Sequence, residues 1–91
     1  MVALMAFRRP VVDPGTIVPL YEQLVDDIAG QIAAGTLLPG ERLPGERDLA
    51  NDLGIGYQTV RRALGILAGR GLIARRQGKG TFVTTEGHGG G

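Results

Sequence analysis

Apolar residues recur at helical spacing along three stretches of the chain. In the first, Leu20, Leu24, Ile28 and Ile32 stand four residues apart, and Tyr21, Val25 and Ala29 widen the stripe. One helix is therefore expected here. Pro19 suits its first position, where a missing N–H costs nothing, and Gly35 closes it as a left-handed cap. Glu22, Asp26 and Asp27 fall mainly off the stripe and read as its solvent face. Between Leu37 and Pro44 a turn and a short extended piece are expected, because Pro39-Gly40 breaks the helix and Pro44 pushes Leu43 out of helical backbone. A second helix runs from about Glu46 to Leu53, with Leu49, Ala50 and Leu53 inward and Gly54 at its end. A third runs from about Tyr57 to Ala68 and buries Val60, Ala63, Leu64 and Leu67.

Beyond Gly71 the period changes. Leu72–Arg76 and Thr81–Thr84 are short segments rich in apolar or β-branched residues, joined by Gln77-Gly78-Lys79-Gly80. They predict a β-hairpin with a glycine-bearing tip. The fold class is thus mainly α with a small β-hairpin: three helices plus a wing. Residues 1–17 lack periodicity and hold Pro10, Pro14 and Gly15, so they are expected to form a flexible arm. The folded domain is expected over 18–84, and a flexible Gly-rich tail over 85–91.

Ninety-one residues suit one small domain with one core. The chain has no cysteine, which excludes disulfides and thiolate metal sites. No segment approaches the roughly 20 apolar residues of a membrane span, and no signal-like apolar run follows Arg8 and Arg9, so the expected location is cytoplasmic. The net charge of +1 conceals an asymmetry. Leu20–Gly54 holds seven acids against two bases, whereas Ile55–Thr85 holds six bases and no acid. Such a division either presents one face to a polyanion or is a solvated charged surface, and charge alone leaves both open.

Catalytic chemistry finds little support. There is no serine, and the single histidine, His88, lies in the glycine tail without a second ligand or a nucleophile to activate. Gly78-Lys79 hints at a phosphate-binding loop, but Ile73 and Gly80 stand where that motif needs glycine and Ser or Thr. The expectation is a chain that is no enzyme, with no catalytic residue, no metal, no cofactor, no membrane partner and no small-molecule site.

Glu46–Ala63 reads as a unit. Ala50 is small where two helices approach, Gly54 permits the positive φ of a sharp turn, Ile55 plugs that turn, and Val60 and Ala63 seat the second helix on the first. This is the stereochemistry of a helix-turn-helix, whose second helix is held out to enter a major groove. A basic, glycine-bearing hairpin directly after it strengthens the reading.

With these elements in order, the chain resembles the winged helix-turn-helix DNA-binding domain of the GntR family of bacterial regulators. The resemblance rests on Pro19-Leu20-Tyr21-Glu22-Gln23-Leu24, Gly35-Thr36-Leu37, Pro39-Gly40-Glu41-Arg42-Leu43-Pro44, Glu46-Arg47-Asp48-Leu49-Ala50, Leu53-Gly54-Ile55, Thr59-Val60-Arg61-Arg62-Ala63-Leu64, and Gly71-Leu72-Ile73 followed by Gly78-Lys79-Gly80-Thr81-Phe82-Val83. It implies a regulator, more often a repressor, that binds pseudo-palindromic operators in double-stranded DNA as a homodimer. Family members usually carry a larger C-terminal effector domain, so this chain reads either as a DNA-binding fragment or as a stand-alone short regulator. The implied DNA contacts are Arg47 at the start of the second helix, Tyr57, Gln58, Thr59 and Arg61 in the third, and Gly78, Lys79 and Gly80 at the wing tip.

The residue-level reading agrees and adds Arg62. Tyr57, Gln58, Arg61 and Arg62 lie away from the buried stripe, and Arg and Gln are able to contact base edges in pairs of hydrogen bonds. Lys79 is placed to follow a phosphate backbone or to enter the minor groove. Structural alternatives stand beside these: Arg47 pairing with acids of its own helix, Arg62 on the flank, Gln58 and Thr59 as simple helix-start residues, and at most one of Arg75 and Arg76 facing a duplex. Two positions depart from the family pattern. Gly56-Tyr57 stands where Ser or Thr, then Arg, is usual, and Gly45 replaces a common Ser or Ala. Tyr57 therefore either changes the operator or only stacks on sugar or donates to a phosphate. A winged helix used as a protein-interaction module is the second function class.

Overall fold

In the computed structural model, which describes residues 7–85, the chain runs α1 (Leu20–Ala34), α2 (Glu46–Leu53), α3 (Tyr57–Gly69), β1 (Ile73–Arg76) and β2 (Gly80–Val83). His88 lies outside the described residues. Pro19, expected as the first residue of α1, instead immediately precedes it: its ψ of 145° is extended, while its carbonyl accepts hydrogen bonds from the N–H of Glu22 and Gln23. It therefore stands at the cap position, where its carbonyl accepts the first hydrogen bonds of the helix.

The core sits where α1 crosses α3. Leu24 and Ile28 of α1 meet Val60, Ala63, Leu64 and Leu67 of α3, all fully buried. Leu49 of α2, Leu37 and Leu43 of the connector, and Ile73 and Val83 of the hairpin close it. Each of the larger side chains contributes about 1.5–3 kcal/mol by leaving water. The hairpin joins the core because Ile73 and Val83 are cross-strand partners and point to the same face.

The extended piece before Pro44 acquires a partner. Arg42 bridges Phe82 in an antiparallel sense, Leu43 N–H donates to Thr81 C=O, and Val83 N–H donates to Glu41 C=O. The connector thus covers the edge of β2 that β1 leaves open.

Residues 7–17 form no helix or strand, yet they lie back along α1. The Gln31 side chain treats Arg8 as a sheet neighbour would: its Nε2 donates to Arg8 C=O at 2.8 Å and its Oε1 accepts from Arg8 N–H at 2.9 Å. Four residues earlier, Asp27 accepts from Val11 N–H, and four before that, Gln23 repeats the two-way amide pairing with Asp13. Asp27, read as solvent face, is therefore a strap residue. Gln31 is 6% exposed, a burial that the apolar stripe did not show because its partners come from outside the helix.

Candidate nucleic-acid interface

Helix α2 is short and its direction is set at both ends. Gly45 enters it with extended backbone (φ −63°, ψ 159°), and Gly54 leaves it at φ 68°, a left-handed conformation that a Cβ would strain. The chain then folds back: Ile55 N–H donates to Ala50 C=O at 3.1 Å, and α3 starts two residues later. Because Val60, Ala63, Leu64 and Leu67 are committed to the core, Gln58, Arg61 and Arg62 are exposed, with Tyr57 and Thr59 half-buried beside them. Neither Gly45 nor Gly56 supplies a side-chain cap, and in α3 the Thr59 N–H turns inward to the Gly56 carbonyl, which leaves the N–H groups of Tyr57 and Gln58 without a side-chain acceptor from the cap position.

The wing tip is a tight turn in which Lys79 N–H donates to Arg76 C=O at 2.9 Å, and Gly78 at φ 77° supplies the positive φ that a type II turn needs. Lys79 is exposed at the apex. Gly80 has a different reason for being glycine. Its φ is 122°, and the Arg42 guanidinium lies across it, so that a Cβ built there would stand 2.7 Å from Arg42 Nε.

Between α2, the start of α3 and the wing lies an open cleft of about 530 Å³. It brings Arg47, Tyr57, Gly78, Lys79 and Gly80 together, along with Arg42, Arg75 and Arg76. Gln58, Thr59 and Arg61 continue the surface along α3 without lining the cleft. Arg62 stands apart: its guanidinium is 3.8 Å from the ring centre of Tyr21 on α1, a cation–π contact that ties it to the first helix.

Two acids, Glu46 and Asp48, line the cleft as well. Glu46 Oε1 accepts from the Tyr57 hydroxyl at 3.2 Å and lies 3.7 Å from Arg61 Nε, while Oε2 lies 3.4 Å from an Arg75 terminal nitrogen. The same Arg75 nitrogen donates to Arg61 C=O at 3.2 Å. Arg47 makes no ion pair among the described residues; its guanidinium rests 4.5 Å above the Tyr57 ring. Both strand arginines line the cleft, where at most one was expected to face a duplex: Arg75 is held there by Glu46 and the Arg61 carbonyl, and Arg76 stands beside it.

Sequence reasoning gave no functional role to Glu46 or Arg42. Arg42 alternates with the buried Leu43, which was the available sign that it faces outward. Glu46 carried no sign, since its three partners come from α3 and β1. Among the described residues no group of three or more His, Cys, Asp or Glu gathers to hold a metal ion, and no helix is long and apolar enough to cross a membrane.

Residues 20–83 match the family model described as bacterial regulatory proteins, gntR family. The chain is 44% identical over 69 residues to the HTH-type transcriptional regulator SmoD of Agrobacterium fabrum, and 43% identical over 67 residues to the HTH-type transcriptional repressor NagR of Bacillus subtilis. These alignments take in 76% and 74% of this chain but only 30% and 28% of those proteins. Among solved structures, YtrA from Sulfolobus acidocaldarius, a GntR-family transcription factor, superposes with a TM-score of 0.79 at 35% identity, covering 87% of this chain and 83% of that one. The DNA-binding domain of AraR in complex with an operator superposes with a TM-score of 0.72 at 34% identity, covering 81% and 92%.

Proposed function

We propose, for a chain that belongs to the GntR family of bacterial regulatory proteins, that it binds specific sequences in double-stranded DNA and regulates transcription, with α3 in the major groove and the wing alongside. The observation that carries this reading is the convergence of Arg47, Arg75, Arg76, Lys79 and the glycine-led starts of α2 and α3 on one open cleft, with Gln58 and Arg61 extending its surface. Gln58, Thr59 and Arg61 face base edges; Arg47, Lys79 and the glycine-flanked backbone of the wing at Gly78 and Gly80 hold phosphates; Arg62 borders the contact from its place on Tyr21. The unit responsible runs from about residue 18 to residue 84, with residues 7–17 strapped along α1. It acts in the cytoplasm, on pseudo-palindromic operators, as a homodimer whose two recognition helices are about 34 Å apart, one turn of the duplex. Repression is favoured over activation because relatives such as NagR are named repressors. No step of this function calls for catalysis.

Selection of bound sequences from a random duplex pool tests the reading. A discrete motif should emerge, and affinity should fall steeply with salt, with a log–log slope of about 0.9 per neutralised phosphate. A chain that binds no duplex at low ionic strength, or that enriches no motif, overturns it.

A further inference from the structure

Tyr57 occupies the first turn of the proposed recognition helix, where a side chain has a choice between reaching outward to a duplex and folding back onto α2. Here it folds back. Its hydroxyl donates to Glu46 Oε1 at 3.2 Å, its ring carries the Arg47 guanidinium at 4.5 Å, and Arg61 lies 6.0 Å from the same ring. Glu46 Oε1 also stands 3.7 Å from Arg61 Nε, an ion pair longer than a hydrogen bond that draws this side of the guanidinium toward the carboxylate.

A carboxylate on a surface meant for phosphates repels them, so its presence calls for a compensating role. Glu46 is only 23% exposed and gathers Tyr57, Arg61 and Arg75 around its two oxygens. Drawn toward the carboxylate on its Nε side, a guanidinium keeps both terminal nitrogens for a base edge, and the planar fork of arginine reads guanine only when it arrives in the right plane. Arg61 is half exposed, and without a brace it would sample several rotamers and lose that selectivity.

From this geometry, and resting on the DNA-binding reading above, we infer that Tyr57 and Glu46 are positioning residues that fix the orientation of Arg61, and that Tyr57 sets operator discrimination through them without touching a base itself. The phenol hydroxyl locks the carboxylate, the carboxylate aims Arg61, and the ring face seats Arg47 beside it.

The test uses the 91-residue chain, the duplex that it selects from a random pool, and a random duplex of equal length. Tyr57→Phe keeps the ring under Arg47 and removes only the hydroxyl. Its ratio of selected to random binding should fall about 3- to 10-fold, the worth of one hydrogen bond to a charged group discounted for partial exposure, with random-duplex affinity and salt slope unchanged. Glu46→Gln should also lower the ratio, while binding the random duplex more tightly because a repelling charge is gone. On an Arg61→Ala background Tyr57→Phe should have no further effect. The inference is overturned if Tyr57→Phe weakens both duplexes equally, if it acts undiminished without Arg61, or if discrimination is unchanged. Failure of the unaltered chain to bind either duplex would instead strike the DNA-binding reading on which the inference rests. Thermal unfolding of each variant separates a folding defect from these outcomes.

Discussion

Replacing Gly80 by alanine tests how the wing is built. Two costs are legible at this position. The backbone φ of 122° is one that L residues rarely adopt, and holding a side-chain-bearing residue there costs about 1–3 kcal/mol. The added methyl would also stand 2.7 Å from Arg42 Nε, closer than atoms pack, and in tight contact with Cζ at 3.3 Å. Arg42 is exposed and its guanidinium is the end of a flexible chain, so it swings aside, and the backbone term decides the magnitude. A loss near 2 kcal/mol corresponds to a fall in Tm of about 8–16 °C for a domain of this size. Calorimetry or urea unfolding of Gly80→Ala, Arg42→Ala and the double variant partitions the effect. The alanine should cost nearly as much with Arg42 absent as with it present. If Gly80→Ala is neutral on the Arg42→Ala background, the argument from φ is wrong and steric crowding by Arg42 explains the glycine.

Three further outcomes are expected. Arg61→Ala should cost about 1–3 kcal/mol at its own base pair and less on random DNA, read by titrating the selected operator and its single-base variants; equal losses on all duplexes would remove Arg61 from base reading. Lys79→Ala should weaken binding to every sequence alike and reduce the salt slope by about 1, whereas a loss confined to one operator would contradict a phosphate contact at the wing tip. Gln31→Ala should release the strap: with both its hydrogen bonds to Gln31 gone, the Arg8 backbone amide should exchange about tenfold faster or more by hydrogen-exchange measurement, and unchanged protection would mean that other contacts hold residues 7–17 in place.

Much of this molecule is written in short-range terms. The helix ends at Ala34 and Leu53 were legible because Gly35 and Gly54 follow them, and both take the left-handed backbone that stops a helix. The α3 stripe at Val60, Ala63, Leu64 and Leu67 was legible because a 3.6-residue period leaves only one face for the core, and the same arithmetic placed Gln58, Arg61 and Arg62 outside it. The hairpin followed from a change of period with glycines at the turn. The family, too, was visible in local motifs, and the match over residues 20–83 agrees with the span that they cover.

What tertiary structure alone decided are the contacts between residues distant along the chain. Glu46 meets Arg75 across 29 positions, Arg42 covers Gly80 across 38, and Gln31 finds the Arg8 backbone across 23. None of these pairings leaves a periodic trace, because each depends on the angle at which α2 leaves the Gly54 turn, on the register of the wing, or on the path of a segment that has no period at all. Local sequence can say that Tyr57 lies at the start of a helix and off its buried stripe. Whether it reaches toward a duplex or turns back to Glu46 depends on where α2 comes to rest, and only the packed core places α2.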